Sequence, residues 1–317
     1  MNILYTLDNN FFPQLLVSLD SLIKNTTCKL NVYVICDEIS NENTSKLSIL
    51  NNNRINIQIK EAPQISEKLI PDRKSSSQFY RLYLTDIFTP MEKIDRLIYL
   101  DCDTLITSEE FEMLAVINLQ GNVIGATIDP WSKKYKRMFN MPITNNMFNS
   151  GVIVVDLKLW RIKKITERLS SLIEHRKHFI QGDQGLLNEL FKGSFFTLDP
   201  KFNVITSYYE FSYAELMNFR RPTSYYSEKD IRNALQYPSV IHFISTFSHN
   251  RPWFEESKHP YNNQWRLTYK KIFGKSPHLK KIDGFRYFDF IPRKLAIYIL
   301  GILQCEVRPI LLSFKRK

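Results

Sequence analysis

Apolar positions in the first 60 residues change period repeatedly. NILYTL at 2–7 and LNVYVIC at 30–36 are short aliphatic and β-branched runs, whereas Leu15, Leu19, Leu22 and Ile23 within residues 11–25 recur at helical spacing. The polar stretch 40–53 turns about Leu47 and Leu50, and INIQI at 55–59 reads as a third strand. Strand and helix therefore alternate, the pattern of a parallel α/β sheet. Residues 76–88 predict a helix with Phe79, Leu82, Tyr83 and Ile87 on one face. RLIYL at 96–100 is a wholly apolar strand that runs into Asp101, Cys102 and Asp103. VIGATI at 123–128 and GVIVVDL at 151–157 predict two more strands, and 159–177 an amphipathic helix. A further helix starts in 182–191, and SVIHFI at 239–244 reads as a late strand. Residues 200–236 are aromatic and read as irregular. No repeat of roughly 20–50 residues is visible.

Composition narrows the class. With 44% hydrophobic and 24% charged residues, 14 prolines and 9 glycines, the chain is neither disordered nor collagen-like. Its 317 residues fit one large domain, or one domain with an appendage. Cys28, Cys36, Cys102 and Cys305 are scattered without a CxxC pair, which argues against a disulfide framework and a zinc ribbon. The opening MNILYTLDNNFF lacks a basic region followed by an apolar core, so no signal peptide is expected and the cytoplasm is the default compartment.

Charge is distributed unevenly. Of the formal +11, nine units fall in residues 270–317, which hold twelve basic and three acidic side chains. Residues 1–269 carry only +2. The body is thus nearly neutral and no nucleic-acid module is recognisable in it, so nucleic acid is not an expected partner. In the tail the longest clean apolar run, Leu295–Leu303, is nine residues. That is well short of the ~20 a spanning helix needs. A basic, aromatic and apolar tail suits a segment lying on an anionic membrane surface. A C-terminal helix packed on the domain, with its lysines solvated, is the alternative.

The strongest chemical signal is IYLDCDTLI at 98–106. A buried strand delivers Asp101 and Asp103 to its C-terminal end, the edge of an open α/β sheet where ligands bind. Two carboxylates on one side can hold Mg²⁺ or Mn²⁺ together with phosphate oxygens. Two enzyme classes write Asp-x-Asp this way. One is the aspartyl-nucleophile phosphatases of the haloacid dehalogenase type, whose hhhhDxDxT motif DCDTL fits literally. There the motif follows the first strand, whereas three strands precede it here, and the later GDxxxD element meets Leu187 where its last Asp belongs. The other is the nucleotide-sugar glycosyltransferases, in which the pair binds a metal that bridges the donor's diphosphate.

Several blocks resemble the retaining glycosyltransferases of family 8, in the family's order and over roughly residues 1–275. They are NILYTLDNNF at 2–11, FYRL at 79–82, LIYLDCDTLI at 97–106, GATID at 125–129, FNSGVIVVDLKLW at 148–160, QGDQGLLNELF at 181–191 and IHFISTFSHNRPW at 241–253. The resemblance is to bacterial lipopolysaccharide galactosyl- and glucosyltransferases and to general-stress glycosyltransferases. It implies a GT-A fold: an α/β, Rossmann-like, mostly parallel central sheet flanked by helices, spanning residues 1–275. Residues 276–317 then form a basic, amphipathic helical tail.

The same resemblance implies site roles. Asp101, Asp103 and His242 hold the metal, and a nitrogen beside two carboxylates suits Mn²⁺ better than Mg²⁺. Thr6, Asp8 and Asn10 form the uridine-binding turn, and Arg81 faces phosphate or sugar. Cys102 lies within the metal motif. Asn149 and Ser150 precede a glycine that lets the backbone approach a ligand. Asp183 bonds the donor sugar's hydroxyls, and Gln184 stands near the anomeric carbon. Ser245 replaces the family's Gly after the His, and Arg251 replaces the Lys before Pro-Trp, where it can still clamp diphosphate. The implied reaction moves glucose or galactose from UDP-glucose or UDP-galactose to a glycan acceptor, lipid-linked or otherwise; the alternative, a non-catalytic relative that binds UDP-sugars, is opposed by the intact Asp101, Asp103 and His242. A covalent intermediate would need a carboxylate such as Asp129 or Asp183, while Gln184 is a poor nucleophile. A same-face substitution, with the leaving phosphate taking the acceptor's proton, is therefore favoured. The chain would sit as a peripheral protein on the inner face of the cell membrane.

Overall fold

A computed structural model describes residues 1–70, 75–176, 179–246, 249–281 and 291–314. Part of the closing block, at 247–248, lies outside the described residues, as do the tail residues 282–290 and 315–317. The first third alternates as the pattern requires: β1 (Asn2–Leu7), α1 (Phe12–Lys24), β2 (Leu30–Cys36), α2 (Asn41–Ile49) and β3 (Ile55–Lys60). The expected single helix at 76–88 is instead a 3-10 turn, Ser76–Leu82, followed by the one-turn helix α3 (Leu84–Ile87). Its apolar face is nonetheless the expected one, because Phe79, Leu82, Tyr83 and Ile87 are all buried. Next come β4 (Arg96–Leu100), β5 (Thr104–Ile106), β6 (Ile124–Asp129), α4 (Lys133–Met138) and β7 (Met147–Asp156). The helix expected over 159–177 breaks into α5 (Leu157–Ile162) and α6 (Ile165–Glu174), because Lys164 takes a left-handed conformation between them.

Strands β1 to β4, β6, β7 and β8 (Phe196–Thr197) form one seven-stranded sheet in the order β3-β2-β1-β4-β7-β6-β8. Every neighbouring pair is parallel except the two made by β7. The sheet is buried on both faces. Leu4, Tyr99 and Ile153 join one core, Tyr5, Ile98 and Val152 the other. Residues apolar on both alternating faces are what makes the strands read as continuous runs.

Residues 200–236 are not irregular. After α7 (Gly182–Phe191) they fold as β9 (Val204–Ile205), α8 (Thr206–Glu210), α9 (Tyr213–Arg220) and α10 (Glu228–Gln236). Capping boxes start two of these helices, Ser212 with Glu215 and Ser227 with Asp230. The S-x-x-E and S-x-x-D spacing was therefore present in the sequence. The aromatics pack into a third core with Ile241, Phe243, Trp253 and Trp265. A small second sheet, β5-β10-β9, carries β10 (Val240–His242) between the end of the metal motif and this core.

Helix α11 (Asn262–Phe273) precedes the tail. The tail is one continuous helical rod, α12 (Arg293–Ile302), a π-helical turn at Leu303–Val307 and α13 (Arg308–Phe314). Within Arg293–Ser313 an 18-residue window reaches a mean hydropathy of 1.7, long and apolar enough by composition to cross a membrane. The helix runs past the nine-residue apolar stretch because its polar groups face the domain. Glu306 pairs with Lys134 at 2.7 Å, and the Cys305 thiol meets the Phe219 and Arg220 carbonyls. Pro309 falls in the turn just after the wider π segment, where a missing N–H is tolerated.

Burial pushes the Glu210 carboxyl, at the end of α8, up to about 7, with Thr246 and Arg293 opposing. An acid raised above its ordinary 4.5 favours the folded state below that value, and the advantage is lost as pH rises through 7. Glu210→Gln is expected to be more stable than the parent at pH 8 by about 2–3 kcal/mol. Thermal unfolding at pH 5 and pH 8 checks this, and the gap should close at the lower pH.

Candidate active site

The C-terminal ends of β1 and β4 and the N-terminal half of β7 meet at one sheet edge. The antiparallel direction of β7 is what brings Asn149 and Ser150 to the edge where Asp101 leaves β4. There a cavity of about 400 Å³ is lined by Thr6, Asp8, Arg81, Tyr99, Asp101, Cys102, Asp103, Ser150, Gln181, Asp183 and Gln184, among others.

Asp101, Asp103 and His242 form a cluster that could hold a metal ion, with one ligand atom of each within 4.8 Å of the others. His242 Nε2 lies 3.2 Å from Asp103 and 3.5 Å from Asp101. Its Nδ1 is 2.9 Å from Asn203 Oδ1. The Asn203 amide nitrogen donates to Thr127 and to Asn149, so its oxygen is left to accept from Nδ1–H. Nε2 thereby faces the two carboxylates, which push the imidazole up to about 9 against the cost of burial, so a metal binding there would displace the Nε2 proton. Two oxygens and one nitrogen fit Mn²⁺ or Mg²⁺, with positions left open for phosphate oxygens.

Arg81 holds the other side. Its guanidinium stacks on Tyr99, with the carbon 3.8 Å from the ring centre. It donates to Asp101 at 2.9 Å and to the Ser150 carbonyl at 2.6 Å, and sits 3.2 Å from Asp183. Burial opposes ionisation of Asp101, yet Arg81, His242 and the Tyr99 hydroxyl hold it well below the usual carboxylate range. Asp183 differs. Burial pushes it up to about 6 despite Arg81, and the charge on Asp101 adds to the rise.

Gln184 is fixed at both ends. Its oxygen accepts from the Ser150 N–H at 3.0 Å, and its nitrogen donates to Asp129 Oδ2 at 2.8 Å. Asp129 in turn pairs with Arg220 at 3.3 Å, and that guanidinium lies over Trp131. Asp129 is thus buried behind Gln184 rather than on the cavity wall.

The remaining expected residues are less central. Asp8 accepts from the Asn10 N–H at 2.8 Å, and Asn10 itself is exposed. Thr6 bonds the Tyr99 hydroxyl at 3.1 Å, and the buried Cys102 thiol faces the Thr6 carbonyl. Asn149 accepts from the Gly151 N–H. Ser245 is exposed, and Arg251 is buried against Trp253; neither lines the described cavity. Sequence reasoning missed Asn203, Tyr99, Arg220 and Arg308. Asn203 and Arg220 fell in the stretch read as irregular, Tyr99 read as one apolar letter of a strand, and Arg308 as a solvated tail charge.

Comparison with known proteins gives a consistent picture. The model of Glycosyl transferase family 8 matches residues 2–257. General stress protein A of Bacillus subtilis is 26% identical over 60% of this chain and 64% of its own length. A lipopolysaccharide 1,2-glucosyltransferase of Escherichia coli is 26% identical over 90% of this chain and 86% of its own. This chain therefore spans a little under two thirds of the first relative and most of the second. A crystal structure of the galactosyltransferase LgtC with donor and acceptor sugar analogs superposes with a TM-score of 0.71. It covers 86% of this chain and 96% of that one at 23% identity, a likeness in fold.

Gly151 faces the His242 ring so closely that an added Cβ would overlap the imidazole. Gly151→Ala is expected to displace His242 and weaken Mn²⁺ binding by about 10- to 100-fold, the range for lost supporting contacts. Titration of the purified variant with Mn²⁺, followed by electron paramagnetic resonance, reads this directly.

Proposed function

Because the chain belongs to glycosyl transferase family 8, we propose that it is a metal-dependent retaining glycosyltransferase moving glucose or galactose from a UDP-sugar to a glycan hydroxyl. The observation that carries this reading is the Asp101–Asp103–His242 cluster at the edge of a cavity that also holds Asp183 and Gln184. Asp101, Asp103 and His242 would hold Mn²⁺, which supplies charge stabilisation for the departing diphosphate. Thr6 and Asp8 line the same cavity from the end of β1, where a nucleotide base and ribose fit.

Arg81 keeps Asp101 ionised and Asp183 in place, so the ligand set and the sugar-binding acid are oriented as one unit. Ser150 donates to Asp183 at 3.2 Å and fixes its remaining freedom. Gln184 presents a neutral amide to the sugar side, its nitrogen committed to Asp129. Neither acid is free to attack carbon: Asp129 is bound by Arg220 and Gln184, and Asp183 by Arg81 and Ser150. A same-face substitution is therefore the mechanism this arrangement supports best. The leaving phosphate removes the acceptor's proton, and Gln184 steadies positive charge developing at the anomeric centre. A glycosyl adduct trapped on Asp183 or Asp129 would overturn that order of events. The phosphatase alternative fares worse, since Asp101 is tied by Arg81 and Tyr99 rather than poised as a nucleophile.

Purified protein given UDP-glucose or UDP-galactose with Mn²⁺ should release UDP slowly from one of the two. EDTA should stop release, and Asp103→Asn, which removes a direct ligand, should lower it by at least about 100-fold, the upper end of what loss of even an outer partner costs. No release from either donor, with crude envelope extract as acceptor, would remove the assignment.

The tail supports an acceptor at a membrane. Leu295, Leu303, Val307, Ile310 and Leu311 are exposed along the rod. Exposed apolar side chains on a helix inside a segment of net positive charge suit peripheral binding to anionic lipid. The full chain is expected to float with phosphatidylglycerol vesicles, and Leu303→Glu with Ile310→Glu should abolish flotation. Flotation unaffected by these changes would rule out this face.

A further inference from the structure

We propose that the tail helix supplies Arg308 as an anion-binding group on the acceptor side of the cavity, selecting acceptors that carry a phosphate or carboxylate near the reacting hydroxyl. This rests on the glycosyl-transfer reading above. Arg308 is the tail's contribution to the described cavity wall, which otherwise comes from the body of the domain.

Its pairing sets it apart from the other cations of the site. Arg81 is held by Asp101 and Asp183, and Arg220 by Asp129. Arg308 donates to the Gln304 side-chain oxygen at 3.2 Å, and among the described residues no carboxylate pairs with it. The same wall carries Asp8, Asp101, Asp103 and Asp183, so a cation left without a carboxylate is a marked exception there. A guanidinium so placed presents its remaining N–H groups as a fork for an oxyanion.

Its position points to the acceptor rather than the nucleotide. Burial pushes the Tyr135 phenol up, while the charges of Arg308 and Arg220 pull the other way, so Tyr135 lies near both guanidiniums. Tyr135 stands on α4, directly after the strand that ends in Asp129, the partner of Gln184. Arg308 thus belongs to the sugar side, whereas Thr6 and Asp8 come from the end of β1. The helix is fixed firmly enough to aim a side chain. Gly301 packs so tightly on the Asn218 carbonyl that no Cβ fits, Ser132 and Lys134 bond the π turn, and Leu312 packs on the Trp131–Tyr135 cluster. The π turn resets the helix phase immediately before Arg308, a device found frequently at functional sites.

The test is calorimetric titration of the full chain, saturated with UDP and Mg²⁺, with inorganic phosphate in one arm and acetate in the other. The parent should bind at least one of the two, and the anion that binds names the acceptor's group. Arg308→Gln should weaken that binding at least fivefold, and Arg308→Lys by less. Gly301→Leu, which undocks the helix, should cause the same loss while UDP still binds. Equal anion affinity in Arg308→Gln and parent overturns the proposal, as does absence of binding of both anions to the parent. A fall in UDP affinity in Arg308→Gln would assign the side chain to the donor and overturn the acceptor role. Failure of the parent to bind UDP at all would instead remove the donor reading itself, and with it this proposal.

Discussion

A single buried guanidinium organises this active site. Arg81 is 7% exposed and lies among Asp101, Asp183 and the Ser150 carbonyl, with its flat face on Tyr99. Removing one partner from such a network leaves uncompensated charge in a poorly solvated place, which is far costlier than losing a surface pair. Its two carboxylates come from segments 82 residues apart in sequence, Asp101 at the end of β4 and Asp183 at the start of α7. The Asp101 side and the Asp183 side of the cavity therefore cannot drift independently. The unequal response of the two acids follows from the same geometry. Asp101 has several partners that favour its charge, and Asp183 bears more of the cost of burial.

Behind the cavity wall a second layer does comparable work without charge. Asn203, entirely buried, links His242, Asn149 and Thr127, and so joins three different strands of two sheets to one imidazole. Gly151 clears the space that the imidazole occupies. The packing is close enough that the ring has one orientation, and the metal-facing nitrogen is decided by an amide some distance along the chain.

Legibility in the sequence varied for physical reasons. The parallel sheet was readable because both faces of each strand are buried, leaving uninterrupted apolar runs such as RLIYL. Asp101 and Asp103 were readable because a carboxylate pair at the end of such a run is rare. Asn203, Arg220 and Arg308 were not, since their roles depend on contacts between distant segments that no local period encodes. The stretch 200–236 was misread because its helices are short and aromatic, though its capping boxes were plain in hindsight. The helical tail was readable, but Gln304, Glu306 and Pro309 looked like interruptions of its apolar run, whereas in the fold Glu306 pairs with Lys134 and Cys305 docks on the domain.

That rod also imposes a timetable. Chains emerge from the ribosome N-terminus first, and domains generally fold as units during synthesis. The sheet, the Asp101–Asp103–His242 cluster and the Arg81 network are all supplied by residue 242, yet the cavity wall is finished only when Arg308 arrives. A nascent chain thus holds the Asp101–Asp103–His242 residues before the 66 residues up to Arg308, which complete the third core and the cavity wall, are made. Chains cut short by a nonsense codon or a protease would keep those residues and lack the closing wall.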